Sequence, residues 1–139
     1  MGGTYVLVLE VDRETTIEVG ALGELSFAAG AYAYVGSAFG PGGFSRVERH
    51  GELARGERDA RHWHVDYLLG NPATTIETVA RFPEQDRECE LAARLPGEPV
   101  EAFGASDCDC PAHLLSAPDG ETEPVLETLR AAGGSFDAG

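Results

Sequence analysis

Lysine is absent from this chain of 139 residues, and its ten basic side chains are all arginines. Cysteine is scarce at three, and tryptophan occurs once. No apolar run approaches the roughly 18 residues that a membrane-spanning helix needs. The start, Met1-Gly2-Gly3-Thr4, has neither the basic patch nor the apolar stretch of a signal peptide. These absences argue against a membrane partner, and the expectation is a soluble, cytoplasmic protein.

Acid is what the chain has in excess: 24 aspartates and glutamates give a formal net charge of −14. That balance argues against ordinary phosphate binding, yet it is also how halophilic proteins stay solvated in concentrated salt. In such salt the Debye length is about 3 Å or less. Net charge then repels DNA only at contact range, while the counterion-release contribution to binding shrinks as well. The distribution of charge is more informative than its sum. Residues 84–139 hold thirteen acids against three arginines, and residues 1–83 hold eleven against seven. Five of the ten arginines fall between Arg46 and Arg61, interleaved with His50, His62 and His64. That stretch is either a surface that meets an anion or a solvated helix face.

The length is that of one ordinary domain, taken as residues 1–132, with 133–139 expected to be a disordered tail. Thr4-Tyr5-Val6-Leu7-Val8-Leu9 is short and rich in β-branched and aromatic residues, the pattern of a buried strand. Residues 15–27 alternate polar and apolar around Gly20 and Gly23, which predicts a hairpin. Ala31 to Gly36 reads as a further strand with Tyr32 and Tyr34 on one face, and the glycine-rich residues 37–43 as a loop. A helix carrying Arg46, Arg49 and His50 on one face should follow, then a second over about Ala60 to Leu69, stopped by Gly70-Asn71-Pro72. Thr74 to Phe82 is strand-like, Arg87 to Leu95 helical with Asp86 as its cap, and Val125 to Ala132 a last short helix. The fold class is therefore α/β in the α+β sense: a small, mostly antiparallel central sheet flanked by helices, with an inserted β-hairpin.

Two short strings stand out: Gly3-Thr4-Tyr5 opening the first strand, and Tyr34-Val35-Gly36 closing a later one, followed ten residues on by Arg46. Joined with Ser37, the Arg46–His50 pair, the run His62-Trp63-His64-Val65-Asp66-Tyr67-Leu68-Leu69 and Glu88-Cys89-Glu90-Leu91-Ala92, they resemble the GIY-YIG nuclease superfamily. The likeness is to a little-characterised, largely archaeal branch and covers roughly residues 3 to 115. One departure is the distance between Tyr5 and Tyr34, 29 residues, where most members join the two strands by a short turn; the hairpin at 15–27 accounts for the extra length.

The chemistry asks for these residue types independently of the name. Phosphodiester cleavage needs an activated water, a cation on the phosphate and charge stabilisation at the leaving oxygen. Tyr34 can orient or relay the water's proton with Tyr5 as its hydrogen-bonding neighbour, and Arg46 offers a planar fork for phosphate. His50 would be a secondary contact or proton carrier, and Gly36, Ser37 and Arg49 would border the substrate. The resemblance further implies one Mg²⁺ or Mn²⁺ ion held by a single carboxylate on the helix after Pro83. Glu88 is favoured and Glu90 is the alternate, because residues two apart on a helix point about 200° away from each other. The bland alternatives are that the tyrosines are core residues with satisfied hydroxyls, that Arg46 and Glu88 simply pair, and that Trp63 and His64 are core.

A second constellation, Cys108-Asp109-Cys110-Pro111-Ala112-His113 together with Cys89, makes a structural Cys₃His zinc set conceivable. Its C-x-C spacing is not the usual C-x₂-C, and three buried thiols or a labile Cys108–Cys110 bridge compete with it. The resulting expectation is a metal-dependent endonuclease-like domain acting on DNA or another structured nucleic acid. Its rivals are a catalytically silent nucleic-acid-binding module and a zinc-stabilised scaffold that binds another protein.

Overall fold

A computed structural model of the chain describes residues 3–18, 23–37, 52, 64–71, 73–85, 88–96, 98–99, 114–117 and 121–138. Its centre is β1 (Gly3–Val11), a strand buried along nearly its whole length. β4 (Gly30–Ser37) pairs with one edge of β1 and β5 (Thr74–Pro83) with the other, both antiparallel. β7 (Leu114–Ser116) adds to β4, the two-residue β6 (Glu98–Pro99) to β7, and β8 (Ser135–Ala138) to β5. The six described strands run in the order β6-β7-β4-β1-β5-β8. β2 (Thr15–Glu18) and β3 (Glu24–Phe27) form a separate two-stranded sheet, the inserted hairpin expected from the alternation around Gly20 and Gly23.

Alternation along β1 creates two apolar layers, one on each face. Tyr5, Leu7 and Leu9 point into the first, with Tyr32 and Tyr34 of β4, Ile17 and Phe27 of the hairpin, and Leu68 and Leu69 of α1 (His64–Leu69). Val6 and Val8 point into the second, where Leu91 and Leu95 cover the sheet from α2 (Glu88–Arg94) and its end, and Val125 and Leu129 from α3 (Glu123–Ala131). Helices of seven and nine residues are too short to persist alone in water. Each buried leucine contributes about 1.5–3 kcal/mol, so packing on the sheet, not propensity, fixes where α2 and α3 lie. The sheet is thus mostly antiparallel and flanked by helices on both faces, in the α+β class.

One irregularity breaks the pattern. Between Val8, which pairs with Thr78, and Leu9, which pairs with Ile76, the register shifts and leaves Glu77 of β5 without an opposite number. This is a β-bulge. Ile76 and Val79 both reach the tyrosine layer although they are three residues apart, and Glu77 and Thr78 line a groove on the other side.

The expected disordered tail at 133–139 is corrected by β8. Ala132, Gly133 and Gly134 close α3 with a glycine-terminated turn, Gly133 N–H donating to Arg130 O at 3.1 Å and Gly134 N–H to Leu129 O at 3.1 Å. Gly133 has φ +91, a conformation open to glycine at no side-chain cost. The turn sends the chain back along β5, where Ser135 pairs with Arg81 and Phe136 with Ala80. The helix stop was legible in Gly133-Gly134, but the pairing partners are 54 to 60 residues away in the chain and were not. α3 also begins before Pro124, at Glu123, with the proline in its first turn.

Candidate functional site

Tyr5 and Tyr34 come together on one face of the sheet. In the β1–β4 ladder Tyr5 lies opposite Gly36 and Leu7 opposite Tyr34, so the two phenols are diagonal neighbours with Cβ atoms about 7–8 Å apart or less. The 29-residue separation is absorbed by the hairpin without disturbing this register. Gly36 is the condition for it, since a Cβ at that position would collide with Cζ, Oη and Cε2 of Tyr5. The Tyr5 ring therefore lies across the backbone of Gly36. Tyr5 is 1 % exposed and Tyr34 9 %. Tyr32, on the same face, is committed elsewhere: its hydroxyl donates to Ala28 O at 2.8 Å and its ring meets Phe27 edge-on, with burial pushing its phenol above the usual range.

Gly3 and Thr4 serve the neighbouring segment. A Cβ on Gly3 would overlap Phe82 O and come within 2.7 Å of Glu84 N. Only glycine lets the end of β5 close over β1 there. Thr4 is fully buried, and its hydroxyl donates to Gln85 O at 2.6 Å. The turn between, at Glu84, has φ 60, the left-handed region that non-glycine residues seldom occupy. The first string thus holds, at successive residues, the β5 end, the turn leading to α2 and the phenol over Gly36.

α2 packs its leucines on the face opposite the tyrosines. Its first residue follows Gln85 by three positions, so its N-terminal end starts within about 11 Å of the tethered turn. Glu90 points outward, more than half exposed and 3.8 Å from Arg94 in an i,i+4 ion pair. The side chain of Glu88 lies outside the described residues. The described residues contain no group of three or more His, Cys, Asp or Glu side chains placed to hold a metal ion. Arg46, Arg49, His50, the Ser37 side chain and the possible zinc ligands Cys89, Cys108, Cys110 and His113 also lie outside the described residues, as do Trp63 and the side chain of His64.

Sequence reasoning missed Arg81. It lies directly opposite Tyr5 in the β1–β5 ladder and two residues beyond Val79, which belongs to the tyrosine layer. Its neighbours Ala80 and Phe82 are fully buried on the other face. No motif flags a single arginine between Ala80 and Phe82; only its pairing opposite Tyr5 assigns it to the tyrosine side.

The acidic features sit away from Tyr5. Glu10 is five residues farther along β1, about 17 Å. Its carboxyl is held above the usual glutamate range, first by a shared hydrogen bond with Glu77, then by burial and by the charges of Glu77 and Asp12. A groove of about 450 Å³ opens beside Glu77, lined also by Val8, Leu126, Arg130 and Phe136. It belongs to the α3 face, not to the face that holds the tyrosines.

No described helix is long and apolar enough to cross a membrane. Residues 4–133 match the model of a family described as a domain of unknown function, DUF123. No curated protein and no solved structure matches the chain.

Proposed function

The chain belongs to that family, and we propose that it is a metal-dependent endonuclease-like domain of the GIY-YIG type that hydrolyses phosphodiester bonds in DNA. The observation that carries this reading is the diagonal pairing of Tyr5 and Tyr34 on one face, made possible by Gly36. Tyr34, the less enclosed of the two, orients the attacking water and relays its proton, accepting it as a phenolate that a neighbouring cation would stabilise, and Tyr5 holds Tyr34 in place. Arg46 grips the phosphate with its planar fork, His50 makes a secondary contact or carries a proton, and Gly36, Ser37 and Arg49 border the substrate. A Mg²⁺ or Mn²⁺ ion bound through Glu88, or Glu90 as the alternate, would supply positive charge to the leaving oxygen.

The test is incubation of pure protein with branched, nicked and linear DNA plus Mg²⁺ or Mn²⁺. Cleavage is expected, with Tyr34→Phe and Arg46→Ala each about 100-fold slower or worse. No cutting by the wild type, or undiminished cutting by Arg46→Ala, removes the proposal.

One observation favours a second reading, a catalytically silent module that keeps the fold for nucleic-acid binding. Tyr5 is 1 % exposed, a burial that suits a core phenol as well as a supporting one. That reading predicts DNA affinity whose salt dependence follows the Arg46–Arg61 stretch, and no effect of Glu88→Gln.

A further inference from the structure

We propose that the outer edge of β8, with the groove under α3 that it borders, docks an extended segment of a partner protein in which basic residues alternate with apolar ones, taken up as a further strand of the sheet. Among the described residues β8 ends the strand order, and none of them pairs with its outer side. Such an edge presents a row of unpaired N–H and C=O groups, which proteins guard with proline, lysine, a bulge or extreme shortness. The opposite edge is guarded: β6 is two residues long and ends in Pro99. β8 has four residues, Ser-Phe-Asp-Ala, with neither proline nor a basic side chain, and its register on β5 is unbroken.

The groove supplies a place for the segment's side chains. Phe136 lies opposite Ala80, which is buried in the α3 layer, so the two share that face. It is the one large apolar side chain exposed among the described residues. Val8 and Leu126 extend the apolar lining, and Glu77, the extra residue of the bulge, adds a carboxylate. A strand added to β8 would lie about 4.8 Å from it, near enough for a long side chain to rest its stem on Phe136 and carry its charge into the groove. Charge selects the occupant. Glu77 shares a hydrogen bond with Glu10 and repels it, as does Asp12, and the one arginine of the lining, Arg130, already meets Glu123 at 3.3 Å. A basic side chain relieves that repulsion. A second copy of this chain would instead bring another Asp137 to the edge and another net charge of −14.

The experiment follows isotope-labelled protein by NMR as a capped heptapeptide alternating valine and arginine is added at about 0.15 M salt, where charges more than about 8 Å apart are largely screened. Amide shifts concentrated in β8 and along the groove are expected, and their concentration dependence gives the affinity. Phe136→Thr removes the ring and keeps a strand-forming residue. It and Glu77→Gln should each weaken binding about tenfold. Glu24→Gln, the same charge change on the hairpin of the opposite face, should leave the affinity unaltered. A peptide alternating valine with glutamate, and one with proline at every second position, which cannot complete a ladder, should leave the β8 amides unmoved.

No shifts in β8 with the basic peptide would overturn the proposal, as would equal binding of the glutamate or proline peptide. Wild-type affinity in both Phe136→Thr and Glu77→Gln, or an equal loss in Glu24→Gln, would do the same. A protein that sediments as a dimer, and as a monomer once Phe136→Thr is made, would assign the edge to a second copy and sink the basic partner. No readout here involves the tyrosine face, so docking at β8 and cleavage of DNA stand or fall separately.

Discussion

The hydroxyl of Thr4 donates a 2.6 Å hydrogen bond to the carbonyl of Gln85, 81 residues away in the chain. That bond ties the first strand to the turn from which α2 departs, and α2 carries both carboxylates proposed to hold an ion. It also steadies Glu84 in its left-handed conformation, a strain that persists only where surrounding contacts over-determine it.

Thr4→Val keeps the shape and removes the donor. A stability loss of about 1–2 kcal/mol is expected in urea unfolding, with faster hydrogen exchange of the described amides from Glu84 to Leu91 than in β8 or α3. Thr4→Ser should recover most of the loss. Unchanged exchange at the α2 end in Thr4→Val would show that the tether does not hold that helix.

Gly36→Ala forces a methyl group against the Tyr5 ring. Overpacking of this kind costs about 1–3 kcal/mol. The cost should shrink when Tyr5 is itself reduced to alanine, so a double-mutant cycle in urea is expected to return a coupling above about 0.5 kcal/mol. Simple additivity would mean that Gly36 is not there to receive the phenol.

Glu10 binds its proton more tightly in the folded state than a free glutamate does. The folded protein therefore holds more protons than the unfolded one between the ordinary glutamate range and the raised value of Glu10, and stability falls as pH rises through that window. Above it the full repulsion with Glu77 and Asp12 remains. Glu77→Gln removes the largest cause, so its thermal midpoint should depend less on pH there and exceed the wild type's at neutral pH. The gain should fade at molar salt, which screens exposed charges. A mutant curve parallel to the wild type's across the window would refute the coupling.

Gly133→Ala puts a side chain where φ is +91. Nothing crowds the position, so the cost is conformational alone, about 1 kcal/mol. Differential scanning calorimetry should report a midpoint several degrees lower, about 3–5 °C for a domain of this size. Hydrogen exchange should quicken in β8, because the turn that returns the chain to β5 is weakened.

Much of the local structure was legible in the residues themselves. The run Tyr5 to Leu9 could bury only as a central strand, the alternation around Gly20 and Gly23 gave the hairpin, and Gly133-Gly134 ended α3, since each of these is written in neighbours a few positions apart. The tyrosine strings were legible as strings, and Tyr32 and Tyr34 as sharers of one face.

What only the tertiary structure decided is everything that depends on register between distant strands. That Gly36 faces Tyr5, that a bulge at Glu77 brings Ile76 to the same side as Val79, that Thr4 reaches Gln85 and that β8 returns to β5 are consequences of pairing. A one-residue slip in any ladder would send the same side chains to the other face. The chain alone specified β1, the hairpin, β4, β5 and the ends of α1 and α3, because those choices are local; β8, and which side chains would meet, waited on long-range pairing that no window of neighbours contains.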